Sequence, residues 1–254
     1  MVDFEVGGMI FDLDDTLVDN QEHTGSGLHE RSRLEATRIV GEQFGIKSLT
    51  NYTEQANAVA FRRAKTHSNE SAFWYILVDA GVVSPREAED PQHELVAALI
   101  AIKDDFHEDL IRSDARPLPY VAEFLEGATQ KGIGLAIAST AIRRHIDAAL
   151  ETTGLSGYFP VDRRISFEKI MAPKPDPEVY DLAFRSLALE KGERMNTCAF
   201  DDDPRGIASA RAAGLFVCAI ATRYSIGDLL SLPVTPDLAS NSYTEYAKEF
   251  GIQV

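Results

Sequence analysis

Met9-Ile10-Phe11-Asp12-Leu13-Asp14-Asp15-Thr16 joins three apolar residues directly to a set of carboxylates. An unbroken apolar run with no polar alternation predicts a strand buried on both faces, as in a parallel sheet. In an extended segment alternate side chains point the same way, so Asp12 and Asp14 face one point. Ligands of open α/β sheets bind at the carboxyl ends of the strands, where this pair stands. A lone Asp-x-Asp also describes an ordinary acidic turn. The other strand ends decide between the two readings.

The second half of the chain repeats one unit, a helical pattern, a glycine stop and a short apolar run, which is α/β grammar. Val121, Phe124, Leu125 and Ala128 keep helical spacing before Gly132, and residues 133–138 follow as a strand. Ile142, Ile146, Ala149 and Leu150 form the next helix face, which Gly154 ends. Asp176-Pro177 predicts a further helix with Asp as N-cap and Pro in the first turn. Residues 195–200 read as a strand, Asp203-Pro204 repeats the cap pattern, and residues 215–220 read as another strand. These connections predict a Rossmann-like three-layer core around a mostly parallel sheet.

About a hundred residues after Phe11 show no comparable strand. They carry helical faces instead: Leu28, Leu34, Ile39, Val40 and Phe44, then Phe73, Ile76, Leu77 and Ala80, then Leu95, Leu99, Ile102 and Phe106 after Pro91. A crossover between parallel strands needs only about a dozen residues. The excess predicts an α/β core formed by residues 1–19 and 116–254, with a helical domain inserted at 20–115. The hinges are expected at 18–21 and 113–117.

The strand ends carry a consistent chemistry. Ser139 follows the strand that ends at Ala138, Lys174 lies between Pro173 and Pro175, and Asp201-Asp202-Asp203 follows the strand ending at Phe200. A hydroxyl, an ammonium and a second acidic cluster, in that order behind Asp-x-Asp-x-Thr, resemble the haloacid dehalogenase-like superfamily, in its helical-cap phosphatase and β-phosphoglucomutase-like branch. The likeness extends over 11–19, 134–140, 172–180, 198–220 and the 237–245 tail.

That resemblance implies a Mg²⁺-dependent phosphatase whose nucleophile is Asp12, forming an aspartyl-phosphate with a small phosphorylated metabolite. It implies Mg²⁺ held by Asp12, the backbone carbonyl of Asp14, and Asp202, with Asp201 direct or through water. Asp14 becomes the general acid and then base, Lys174 the second cation, and Ser139 and Thr140 phosphate donors with backbone N–H groups near them, while Thr16 orders the loop and lines the phosphate site. The cap is expected to close and exclude bulk water. A sugar-phosphate mutase and a non-catalytic phosphoacceptor are the alternatives. The second carboxylate argues for phosphoryl transfer over dehalogenation, which needs neither Asp14 nor Mg²⁺.

Three residues depart from the family pattern: Asp15 and Tyr120 where glycine is frequent, and Asp203 where serine usually follows the acidic pair. In the insert, Arg62, Arg63 and Lys65 form a basic run near Trp74 and Tyr75, candidates for contacting a leaving group, although charge runs usually face water. His23 and His29 lie just after the first motif with no role assigned by register, His67, His93, His107 and His145 show no metal-ligand spacing, and all six read as structural or surface residues.

Composition sets outer bounds. With 25 Lys and Arg against 40 Asp and Glu, the net charge of −15 repels nucleic-acid phosphates, so no nucleic-acid partner is expected. An anionic substrate then requires local cations. No apolar run approaches the roughly 18 residues that span a bilayer, and no membrane association is expected. The polar start around Asp3 and Glu5 lacks a secretory leader's pattern, so a cytoplasmic location is expected. Cys198 and Cys218 sit in apolar runs and read as reduced core residues. Oligomeric state leaves no signature in the sequence.

Overall fold

The computed structural model describes residues 4–20, 27–64, 69–84, 93–189 and 191–254. The chain divides into two compact units, Met1–His23 with Ala115–Val254, and Thr24–Asp114.

The first unit is built on six parallel strands: β1 (Gly8–Phe11), β4 (Gly134–Ala138), β5 (Arg164–Ile165), β6 (Thr197–Asp201), β7 (Phe216–Ile220) and β8 (Leu238–Ser240). Their order is β5-β4-β1-β6-β7-β8, and every neighbouring pair is parallel. Two short strands, β2 (Val18–Asp19) and β3 (Arg116–Pro117), pair antiparallel beside them. The helices of this unit are α6 (Val121–Gln130), α7 (Arg143–Thr152), α8 (Glu178–Ser186), α9 (Pro204–Ala212), α10 (Ile226–Leu230) and α11 (Tyr243–Phe250).

Because strand side chains alternate, β1 serves both faces of the sheet. Ile10 packs with Val179, Tyr180, Ala183 and Ile207 on one side. Phe11 enters an aromatic cluster on the other. There Phe200 lies 4.7 Å from Phe11, 5.7 Å from Phe124 and 5.2 Å from Tyr246, measured between ring centroids. Tyr243 donates its hydroxyl to the Thr16 carbonyl at 2.9 Å, so this cluster also fixes the loop after β1. Cys198 and Cys218 are both buried free thiols.

The second unit is helical: α1 (Leu28–Gln43), α2 (Lys47–Thr50), α3 (Glu54–Arg63), α4 (Asn69–Asp79) and α5 (Glu94–Asp114). Its core gathers Leu34, Val40, Phe73, Ile76, Leu77, Val96 and Leu99.

Several expected details move. The strand expected over 195–200 runs Thr197–Asp201, because residues Lys191–Asn196 form a 3₁₀ turn. α8 begins at Glu178 with Pro177 at the cap position, and Asp176 accepts the Glu178 N–H one residue further out. On α5 Leu99 is buried as expected, but its buried neighbours are Val96, Lys103, His107 and Leu110, while Leu95, Ile102 and Phe106 are only partly buried. On α1, Arg33 and Thr37 are buried while Phe44 is 45% exposed. In both cases polar side chains find partners inside the unit: Arg33 bonds Asn57, and the His107 ring stacks on His29. Pro91 and the hinge residue Gln21 lie outside the described residues.

Phe200 is the hub of the aromatic cluster and fully buried. Phe200→Ala is expected to cost about 3–5 kcal/mol of stability, read as a lower urea midpoint at unchanged slope. A loss under about 1 kcal/mol, below the range for such truncations, contradicts this packing account.

Candidate active site

β1 pairs with β4 on one side and β6 on the other, and this is where the strand order reverses, so the crevice at its carboxyl end is the natural ligand site. Register brings three strand ends level: Phe11 lies opposite Ile137 and Phe200, and the Asp12 N–H donates to the Phe200 carbonyl at 2.9 Å. Asp12, Ser139 and Asp201-Asp202 therefore arrive at one edge from three strands. Lys174 arrives from the loop before α8.

Lys174 Nζ donates to Asp12 Oδ1 and to Asp201 Oδ2, both at 2.7 Å, with its side chain only 8% exposed. Asp201 accepts three hydrogen bonds in all. Its Oδ2 also accepts the Tyr180 hydroxyl at 2.6 Å, and its Oδ1 accepts the Asp203 N–H at 2.9 Å. Asp202 differs: Oδ1 accepts the Thr16 hydroxyl at 3.2 Å, while Oδ2 is buried with no hydrogen-bond partner. A buried carboxylate oxygen without a donor is costly unless a cation meets it.

Carboxylate oxygens of Asp12, Asp201 and Asp202 lie within 4.8 Å of one another. Hard divalent cations take oxygen donors of this kind, so the residues present fit such an ion. Asp201 already accepts three hydrogen bonds, whereas Asp202 Oδ2 is the buried oxygen of this group without one. Burial pushes the Asp12 carboxyl up, Lys174 opposes it, and Asp201 and Asp14 add to the rise, leaving Asp12 at about 7. Burial and the neighbouring Asp201 and Asp12 raise Asp202 well above the carboxylate range.

The remaining expected residues fall into place as follows. Asp14 is partly exposed and accepts a hydrogen bond from Asn20 Nδ2. Ser139 is 2% exposed; its Oγ accepts the Ala141 N–H at 3.1 Å, which aims the hydroxyl proton elsewhere. The Ser139 backbone N–H itself donates to the Ile165 carbonyl at 3.1 Å. Thr140 is exposed, and Thr16 is fully buried against Asp202. Asp203, expected as extra charge near a metal, caps α9 and pairs with Arg205 at 2.9 Å. Burial pushes its carboxyl up, but the Arg205 hydrogen bonds and the charge of Arg205 and Arg223 outweigh this and hold it low.

Within the helical unit, Arg63 is committed to Asp79 at 2.7 Å and lies over the Tyr75 ring, Trp74 packs against His93, and Arg62 is exposed. Lys65, His23 and His67 lie outside the described residues. His107 and His145 are buried.

Sequence reasoning missed Tyr180, Asn20, Arg223 and Gly206. The last left a signal: a glycine early in a helix is unfavourable unless something approaches closely. A Cβ at Gly206 would lie 1.9 Å from Asp201 Oδ2.

The sequence matches the haloacid dehalogenase-like hydrolase family over residues 6–214, and the chain belongs to that family. It is 27% identical to protein CbbY of Rhodobacter capsulatus, over 88% of this chain and 89% of that one. It is 23% identical to phosphoglycolate phosphatase of Salmonella choleraesuis (strain SC-B67), over 97% and 93%. Among solved structures, a family IA, variant 3 hydrolase of the same superfamily from Entamoeba histolytica shares the fold, with TM-score 0.74, 20% identity and 97% of each chain covered.

Two outcomes follow from this geometry. Gly206→Ala forces Asp201 out of its place, so divalent-cation binding should fall at least about tenfold, as displaced ligand support does elsewhere; unchanged affinity in calorimetry counts against the close approach. The second concerns pH. A carboxyl whose folded pKa is raised contributes stability below its unfolded pKa and loses it as pH rises through the folded value. Without added metal, Asp202→Asn should therefore melt higher than wild type by a margin that grows from pH 4 to pH 7. A constant or shrinking margin contradicts the burial of a weakly compensated carboxyl here.

Proposed function

We propose that the protein is a Mg²⁺-dependent phosphatase that hydrolyses a small phosphomonoester through an aspartyl-phosphate on Asp12. The observation that carries this reading is Asp12 held by Lys174 beside the donor-less oxygen of Asp202. A nucleophilic carboxylate, a fixed cation and an open metal donor at one strand end are the parts that phosphoryl transfer needs. The names of the relatives, a phosphoglycolate phosphatase among them, support a small anionic substrate. The core is assigned to residues 1–19 and 116–254 and the cap to 20–115, in a cytoplasmic enzyme.

Asp12, Asp202 and the Asp14 carbonyl would hold the metal, with Asp201 supporting it directly or through water, and Mg²⁺ would offset the repulsion between a carboxylate and a phosphate dianion. An Asp12 oxygen attacks phosphorus, the bond to the leaving oxygen breaks, and Asp14 gives that oxygen a proton. Asp14 then takes a proton from water, which attacks the aspartyl-phosphate and releases phosphate, restoring Asp12. Lys174 keeps Asp12 oriented and supplies positive charge to the phosphoryl oxygens. Ser139 donates its hydroxyl proton to them, and the exposed Thr140 hydroxyl adds a second donor.

Asp12→Asn should fold normally and lose turnover by at least about 10³-fold, as removal of a nucleophile does. Chelation should abolish release of phosphate from phosphorylated metabolites and Mg²⁺ should restore it. Substantial turnover by purified Asp12→Asn, or full activity in excess chelator, defeats the proposal. With β-glucose 1-phosphate and a trace of glucose 1,6-bisphosphate, the product expected is free phosphate; accumulation of glucose 6-phosphate instead identifies a mutase.

A further inference from the structure

The turn after β7 carries a cation held unlike the others at these strand ends. Lys174 makes two 2.7 Å hydrogen bonds, and Arg205 donates to both oxygens of Asp203. Arg223 Nη1 lies 3.8 Å from Asp202 Oδ2 and 3.5 Å from Asp203 Oδ2, at or beyond the limit of a hydrogen bond to either. Its side chain is 32% exposed, whereas that of Asp202 is 2% exposed. The backbone around it is fixed: Thr222 Oγ1 donates to the Asp15 carbonyl at 2.7 Å, and the Ala221 N–H donates to the Ser240 carbonyl at 2.8 Å. The guanidinium is thus anchored at its root and loosely shared at its tip.

We propose that Arg223 is a positioning residue of the cation site: its guanidinium compensates Asp202 Oδ2 when no divalent ion is there, and passes to Asp203 when one takes that oxygen. This rests on the metal reading given under Proposed function. A buried carboxylate with no counter-charge is strongly unfavourable, so a guanidinium at 3.8 Å stabilises the metal-free protein. Two cations beside one oxygen repel, so the same guanidinium weakens metal binding until it moves. Those are two sides of one coupling.

Asp203 gives the displaced guanidinium a place to go. Its Oδ1 is fixed by the Arg205 N–H at 2.8 Å and Arg205 Nε at 2.9 Å, while Oδ2 is shared between Arg205 Nη2 at 3.2 Å and Arg223 at 3.5 Å. Serine would cap α9 equally well but would offer no charge. The exchange accounts for a carboxylate at this position, where capping alone does not.

The test is Mn²⁺ titration, followed by calorimetry and by electron paramagnetic resonance, of wild type, Arg223→Gln, Asp203→Ser, the double variant and Asp202→Ala, with thermal melts in chelator. Arg223→Gln should bind Mn²⁺ at least about fivefold more tightly, the lower end of couplings between sites, and should melt lower without metal. Asp203→Ser should bind more weakly, and the double variant should bind like Arg223→Gln, because Asp203 acts through Arg223. Equal or weaker binding by Arg223→Gln overturns the inference, as does simple additivity of the two substitutions. If wild type binds Mn²⁺ and Asp202→Ala does not, a null result at Arg223 defeats this inference alone; if wild type binds none, the metal reading fails and this one with it.

Discussion

Lys174 touches Asp12 and Asp201 at 2.7 Å in a place almost closed to solvent, and the rest of the site is arranged around that double contact. Removing two carboxylates and an ammonium from water is expensive, and their attraction compensates only when every remaining lone pair is satisfied. Asp201 goes most of the way to that condition through Tyr180 and the Asp203 N–H. It is thereby fixed at the centre of the sheet edge as the second acceptor of Lys174. Gly206 is the steric condition for this arrangement, since any larger residue would occupy the space of the Asp201 carboxylate.

With Asp201 held by three hydrogen bonds, the buried oxygen left without a donor is on Asp202, faced at 3.8 Å by Arg223. Thr16 satisfies one oxygen and leaves the other. Thr16 is in turn held by Tyr243, whose ring belongs to the aromatic cluster around Phe200. The chain of cause thus runs from apolar packing beneath the sheet, through one backbone carbonyl, to the orientation of a hydroxyl on a carboxylate. Stability stored in the core is what holds an unfavourable charge pattern at the surface crevice.

The parts of the site legible in the sequence are those fixed by local rules. A buried strand followed by carboxylates announces itself within a few residues, and parallel topology then places Asp12, Ser139 and Asp201-Asp202 together. Tyr180 was not legible as a functional residue, because a tyrosine on the buried face of α8 reads as core until the sheet brings its hydroxyl to Asp201. Short strands such as β5 have too few residues to show any period. In the helical unit, periodicity found most of the apolar core, Leu34, Val40, Phe73, Ile76, Leu77 and Leu99 among it, but missed the polar members of the buried faces. Arg33, Lys103 and His107 occupy buried positions that apolar counting assigns to other residues, and only tertiary partners make such burial tolerable.

The two positions at which the family resemblance implies glycine both lie in the left-handed backbone region, Asp15 at φ 55° and Tyr120 at φ 64°. Such a conformation is unfavourable for a side chain with a Cβ, and Asp tolerates it better than most. The two positions compensate very differently. Asp15 N–H donates to the Val18 carbonyl, its Oδ1 accepts the Asn20 N–H, and its carbonyl accepts the Thr222 hydroxyl. Its conformation is therefore fixed from three sides, one of them the same turn that carries Arg223. Tyr120 is 53% exposed at the cap of α6 and makes no side-chain cap bond. Asp15 thus does something glycine could not: its carboxylate adds a further hydrogen bond to the loop that presents Asp12 and Asp14, so the departure from glycine tightens the site.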